Sequence, residues 1–333
     1  MATIKKVGVL GCGAWATAIA DLVAENGHST SIWCHRPEIA DAINQNRENF
    51  FSHPGHRLSD NLTADTELER FFAESDAIIF CIASSYIDSV VEMGKYFKKG
   101  TPVLSLTKGV LEDKSSIYVS DFLIKHFVDC QLGVLSGPNL ASEVVAKLPA
   151  ATVIASAHSG VSKTFQRLIT NGRFRVYTSA DVRGVELGGI LKNIMAIAAG
   201  TIDGLSLGAN AKASLLTRCI PEMIRLGTAL GANAETFHGL SGFGDLVATC
   251  ASSKSRNWQI GNGLAKGNSL SAIQKQATTV AEGIKTTRII HKLALEKGIE
   301  MPITAEVYRL LFEDKAPHNA IKDLMSREIK AEQ

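Results

Sequence analysis

Short apolar runs without polar alternation punctuate the first part of the chain: KVGVL (6–10), STSIW (29–33), AIIFCI (77–82), PVLSL (102–106), LGVLS (132–136), ATVIA (151–155) and FRVYT (174–178). Helical patterns lie between most of them. Runs of this kind belong to strands buried on both faces, and their alternation with helices predicts an open, mostly parallel α/β sheet. After Asp181 the strand signal stops. From there to Gln333 the pattern is helical, interrupted by the Gly-rich stretches GTIDGLSLGAN, GLSGFGD and GNGLAKGN, which read as turns. The expected architecture is α/β plus all-α, with a sheet domain over 1–180 and an all-helical domain over 181–333.

One helical stretch stands out. Residues 188–200 read GGILKNIMAIAAG, and Val185 to Ala199 is apolar enough to predict a buried helix. Gly188, Lys192, Ala196 and Gly200 recur every four residues, with Gly189 and Asn193 beside them, so lysine and asparagine lie on a stripe that something can approach closely. A lysine there either snorkels into water past its neighbours or has work to do.

Composition narrows the choices. The chain is 45% hydrophobic and 20% charged, with a net charge of +2, and has no basic block suited to nucleic acid or anionic lipid. Its six cysteines are scattered without a CxxC pair, which argues for reduced thiols rather than a disulfide framework or zinc site. The longest apolar run, Ala77 to Ala83, is too short to span a bilayer. A cytoplasmic protein without membrane insertion is expected. No metal site is expected either: His53 and His56 in HPGH have no third ligand at recognisable spacing.

The first strand leads into GCGAWA, with Gly11, Gly13 and Ala16 spaced as in a dinucleotide-binding turn. Gly11 permits the tight turn, Gly13 lets a pyrophosphate approach, and Ala16 is small enough for helix-on-strand packing. The pyrophosphate would rest on the N-terminus of a helix starting near Ala14. The second strand ends in WCHRPE, without the acid that usually accepts from a ribose 2′-hydroxyl. His35 and Arg36 suit a 2′-phosphate instead, so NADP(H) is the preferred cofactor expected, with NAD(H) also accommodated.

Further polar clusters fall in loops. Lys108 follows the strand at 102–106, and SGPN (136–139) follows that at 132–135, with Asn139 placed to open a helix through LASEVV. GFGD carries Asp245, and SKSRN brings Ser255, Arg256 and Asn257 to a helix start, a combination suited to phosphate. Hydride transfer between nicotinamide and a secondary alcohol needs a proton carrier, for which Lys192 is suited. Burial and nearby cations such as Lys108 would bring it from ~10.4 towards ~8, at roughly 3 kcal/mol.

These residues resemble the bacterial-type NAD(P)-dependent sn-glycerol-3-phosphate dehydrogenases. The resemblance rests on GCGAWATAIA, SLTKG, SGPNLASEV, ELGGILKNIMAIAAGTIDGL, NAKASLLTR, TFHGLSGFGDLVATCASSKSRN and EG at 282–283. It implies an N-terminal Rossmann-like domain, an all-helical C-terminal domain and a homodimer. The implied reaction is NAD(P)H-dependent reduction of dihydroxyacetone phosphate, a small phosphate ester, to sn-glycerol 3-phosphate for glycerophospholipid synthesis. It makes Lys192 the proton carrier and sets Lys108, Gly137, Asn139, Asp245, Ser255, Arg256 and Asn257 around the substrate. It assigns Ala14, Trp15, His35, Arg36, Lys108, Ala141, Arg256, Val280 and Glu282 to the cofactor. The chain departs from the family at Ala16, where glycine is usual, and at Asn139, where a small hydroxyl residue is common. Two other readings remain open here: a β-hydroxyacid or sugar-acid dehydrogenase of the same architecture, and a non-catalytic NADP(H)-binding sensor.

Overall fold

The computed structural model describes residues 4–112, 116–276, 281–329 and 331. The chain divides into two compact units, Met1–Glu186 and Leu187–Gln333. The first is built on one eight-stranded sheet: β1 Lys6–Leu10, β2 Ser29–Trp33, β3 Leu62–Asp65, β4 Ala77–Phe80, β5 Pro102–Ser105, β6 Gln131–Ser136, β7 Ala150–Ala155 and β8 Phe174–Ser179. The strand order is β3-β2-β1-β4-β5-β6-β7-β8, parallel except between β6 and β7. Seven of these strands fall where the apolar runs place them. β3 does not, because LTAD is a polar four-residue edge strand paired only with β2, with no second neighbour to demand an apolar run.

The helices of this unit are α1 Ala14–Glu25, α2 Pro37–Asp41, α3 Leu68–Glu74, α4 Ser89–Met93, α5 Val119–His126, α6 Ala141–Val145 and α7 Ser159–Ile169. Ile19 and Val23 of α1 and Phe165 of α7 pack with β1 and β2 in one fully buried cluster. A second cluster gathers Phe71, Phe72, Phe80 and Phe127. The chain reverses its direction of progress at β1, which pairs with both β2 and β4. The carboxyl ends of strands at such a switch point are where open sheets hold ligands.

α8 runs over Val182–Gly204, three residues longer at its start and five longer at its end than the apolar stretch suggests. It begins in the first unit, where the buried Glu186 carboxylate accepts bonds from Ser120 N at 3.0 Å and from Ser120 Oγ. Burial, opposed by those bonds, raises the Glu186 pKa to about 7.

Among its described residues the second unit has helices and no strand: after α8 come α9 Gly208–Ala229, α10 Asp245–Ala251, α11 Arg256–Ala265, α12 Leu270–Gln276, α13 Glu282–Glu296, α14 Pro302–Phe312 and α15 Pro317–Met325. The stretches read as Gly-rich turns are partly helix. Gly200 to Gly204 complete α8, Leu240–Gly244 form a π-helical turn running into α10, and Gly261 to Ala265 complete α11. The reason is close packing. A Cβ on Gly200 would lie 2.0 Å from Trp258 O, one on Gly261 1.9 Å from Ile197 O, and one on Gly188 2.3 Å from Ser241 O. Glycine here lets backbones touch. α8 is long and apolar enough to cross a membrane, but its apolar window is wholly buried within the protein.

Candidate active site

In the first unit the glycine turn leaves β1 with Gly11 at φ +113°, and a Cβ there would come 2.7 Å from Cys81 O, just past β4. Gly13 is the N-cap of α1 in extended conformation, and no side chain caps the helix. A Cβ at Gly13 would meet nothing within 4 Å. An uncapped helix start behind a glycine with open space before it is what an approaching pyrophosphate requires. Trp15 packs against the core cluster with its Nε1 buried and unpartnered. The Cys12 thiolate form is favoured, and that of Cys34 disfavoured, by the hydrogen bond between the two.

The turn is braced by a segment whose function the sequence did not reveal. Asn49, 1% exposed, donates to Cys12 O at 3.0 Å and Thr17 Oγ1 at 2.9 Å. His53 Nε2 donates to Ala14 O at 2.8 Å, and His56 Nε2 lies 2.8 Å from Asp21 Oδ2. The HPGH histidines therefore bind α1 rather than merely decorating the surface. At the end of β2, His35 and Arg36 are exposed, and Arg36 Nε sits 3.9 Å from Glu38 Oε1.

The loops after β5 and β6 meet. Lys108 Nζ donates to Gly137 O at 3.0 Å. Gly137 lies against β7, where a Cβ would come 2.9 Å from Thr152 Cα. Asn139 does not open a helix: α6 starts at Ala141 with Leu140 as its N-cap. The Asn139 amide is drawn elsewhere, donating to Ala151 O at 3.1 Å, while its Oδ1 is buried without a hydrogen-bond partner.

In the second unit Lys192 is 8% exposed and does not snorkel. Its ammonium pairs with Asp245 Oδ1, and Asp245 is 1% exposed at the start of α10. The partner seen within this unit is a carboxylate, a pairing that the sequence did not reveal. Thr249, missed in the sequence, donates from Oγ1 to Asp245 O at 2.6 Å. It is one helical turn after Asp245, a spacing that could have drawn attention to it. Asn193 Oδ1 accepts from Asn257 Nδ2 at 2.9 Å, and Asn257 Oδ1 accepts from Gly283 N at 3.0 Å. One amide thereby ties α8, α11 and the start of α13 together.

Ser255 caps α11, accepting from Trp258 N at 3.3 Å; Arg256 and Asn257 are the first two residues of that helix, and Glu282 opens α13. The stripe beside Lys192 is not open along its length: backbone of Ser241 covers Gly188 and backbone of Trp258 covers Gly200. What the small residues admit at those two positions is protein. Val280 lies outside the described residues.

Comparison with known proteins bears on both units. The profile of the NAD-dependent glycerol-3-phosphate dehydrogenase N-terminus matches residues 6–162, and that of its C-terminus residues 181–322. A curated Oceanobacillus iheyensis protein named glycerol-3-phosphate dehydrogenase, NAD(P)+, is 41% identical, covering 97% of this chain and 94% of its own. One of that name from Gloeobacter violaceus is 42% identical over 98% of this chain and 99% of its own. The crystal structure of glycerol-3-phosphate dehydrogenase from Coxiella burnetii superposes with a TM-score of 0.92 at 35% identity, covering 97% of this chain and 99% of that one.

Proposed function

The chain belongs to the NAD-dependent glycerol-3-phosphate dehydrogenase family, and on that premise we propose that Lys192 carries the proton in the reaction. Membership makes the protein an oxidoreductase that reduces dihydroxyacetone phosphate with NAD(P)H to sn-glycerol 3-phosphate, and it replaces the β-hydroxyacid and sensor readings. The buried Lys192–Asp245 pair is the observation that carries the assignment. Removing a lysine and an aspartate from water is costly even when the two pair, and such groups concentrate at working sites.

When bound, the reduced nicotinamide supplies a hydride to the carbonyl carbon. The Lys192 ammonium donates its proton to the carbonyl oxygen as negative charge develops there, and takes it back in the reverse direction. Asp245 holds the ammonium in place. Asn193, set by Asn257, fixes the orientation of the lysine beside it. Ser255, Arg256 and the first N–H groups of α11 take the phosphate, with Asn257 beside them. Lys108, tethered to the Gly137 carbonyl, assists at the reacting oxygen, and Asn139 borders the same loop.

For the cofactor, Gly11, Gly13, Ala14 and Trp15 receive the pyrophosphate, His35 and Arg36 the adenosine end with its 2′-phosphate, and Ala141, Arg256, Val280 and Glu282 complete the set. The open space before Gly13 and the uncapped α1 support that fit. NADP(H) is thereby preferred over NAD(H). A homodimer in the cytoplasm completes the reading.

The test is the fall in nicotinamide absorbance when the protein and NADPH meet dihydroxyacetone phosphate, with dihydroxyacetone alongside. Oxidation with the phosphate ester alone is expected. Equal rates with both ketones would remove the phosphate site.

A further inference from the structure

The segment that braces the glycine turn does something more. It is pinned at Asn49 to Cys12 O and Thr17 Oγ1, and again at His53 to Ala14 O. Between those two anchors Phe50 and Phe51 stand 46% and 51% exposed, with ring centroids 4.3 Å apart. Large apolar rings held out on an anchored segment mark a contact surface rather than a fraying loop. One of them already has a partner. The Arg36 guanidinium carbon lies 4.6 Å from the centroid of Phe51, while Arg36 Nε is 3.9 Å from Glu38 Oε1.

A guanidinium stacked on an aromatic ring spends its flat face on that contact and keeps its edge N–H groups for an anion. With the ring in place only Nε lies near the Glu38 carboxylate, at 3.9 Å. Without the ring the whole guanidinium is free to turn, and Glu38 would compete with a phosphate for its terminal N–H groups.

We propose that Phe51 is a specificity-determining residue for the cofactor: its ring holds the flat face of Arg36, so that Nε faces Glu38 while the terminal N–H groups stay available to the 2′-phosphate. The proposal rests on the assignment of Arg36 to the 2′-phosphate made above. Phe51 acts through Arg36 and is a positioning residue. The anchors at Asn49 and His53 fix the ring relative to the pyrophosphate turn, so the two phosphate-binding features of the cofactor site are built on one braced segment.

The experiment titrates NADPH and NADH, by the fluorescence of the bound nicotinamide, into the wild type, Phe51→Leu, Phe51→Tyr and Arg36→Ala. An exposed stacked cation contributes enough that Phe51→Leu raises the NADPH Kd about two- to fivefold. The NADH Kd stays at the wild-type value, because NADH has no 2′-phosphate. Phe51→Tyr, which keeps the ring face, binds both cofactors as the wild type does. A selective loss in Arg36→Ala with none in Phe51→Leu overturns the role of the ring alone. An equal weakening for both cofactors in Phe51→Leu overturns it too, since that is what a structural defect in the braced segment would give. Absence of a selective loss in Arg36→Ala overturns the 2′-phosphate assignment, and the role of Phe51 with it.

Discussion

Glycines serve opposite ends in the two units. At Gly13 the missing side chain leaves open space: a Cβ there would find nothing within 4 Å. On α8 the missing side chains are already replaced, with Ser241 O at 2.3 Å from the Cβ position of Gly188 and Trp258 O at 2.0 Å from that of Gly200. Both patterns look alike along the chain, as small residues at a regular spacing beside a helix. The difference lies in what the fold brings to them. A strand-to-helix turn at a sheet's switch point faces outwards, whereas a fully apolar helix draws other helices onto its smallest residues. A stripe of small residues thus reports close approach without saying whether ligand or backbone approaches.

The largest effect separates packing from chemistry on α8. Lys192→Met should lower kcat/KM roughly thousandfold, about 4 kcal/mol in the barrier, while NADPH binds as before. Near-normal turnover would reduce the lysine to a member of the packed helix. The same helix buries Glu186, whose pKa stands at about 7 against an ordinary 4.5. The folded state binds that proton more tightly than the unfolded chain. Its contribution to stability is therefore fully present below pH 4.5 and is lost as pH rises to about 7. The span amounts to about 3 kcal/mol. Urea unfolding of the wild type and Glu186→Gln across this range should show stabilities that diverge by that amount, and parallel curves would refute it.

The comparison itself is tested by filling the two kinds of glycine. Gly200→Ala should cost about 2 kcal/mol, the overpacking outweighing the ~1 kcal/mol that alanine gains in a helix. Gly13→Val should leave the melting temperature unchanged but weaken NADPH more than tenfold, about 1.4 kcal/mol. If Gly200→Ala melts like the wild type, or Gly13→Val binds NADPH normally, the contrast fails at that glycine. Ser255→Ala should give the smallest change, a loss of about 1 kcal/mol in stability from the cap on α11, read by calorimetry.

Much of the sheet was legible because burial on both faces forces a strand such as Ala77–Phe80 to be apolar throughout. β3 was not, since an edge strand of Leu, Thr, Ala and Asp carries no such signal. In the site, Lys192 was conspicuous as a charge in an apolar helix and Asp245 as an acid after two glycines, but their pairing was not legible. Asp245 is 53 residues away, and only the packing of α10 brings it there. Asn49 and His53 were missed for a similar reason. A polar residue in a loop looks the same whether it meets water or, as here, the carbonyls of a glycine turn. Asn139 was misplaced as a helix opener because its amide has a competing acceptor in Ala151, on a strand that follows it in the chain.

The filling of α8 also sets an order on events during synthesis. The backbone that covers Gly200 belongs to Trp258, and the glycine that fits against Ile197 is Gly261, about sixty residues further along the chain. At roughly 5–20 residues per second, this helix leaves the ribosome about 3–12 s before its covering helix exists. Throughout that interval a segment with the mean hydropathy of a membrane span, 1.4, has nothing of its own chain to lie against at these positions. A nascent chain of this protein therefore presents this long apolar helix as a client for chaperones until α11 is complete.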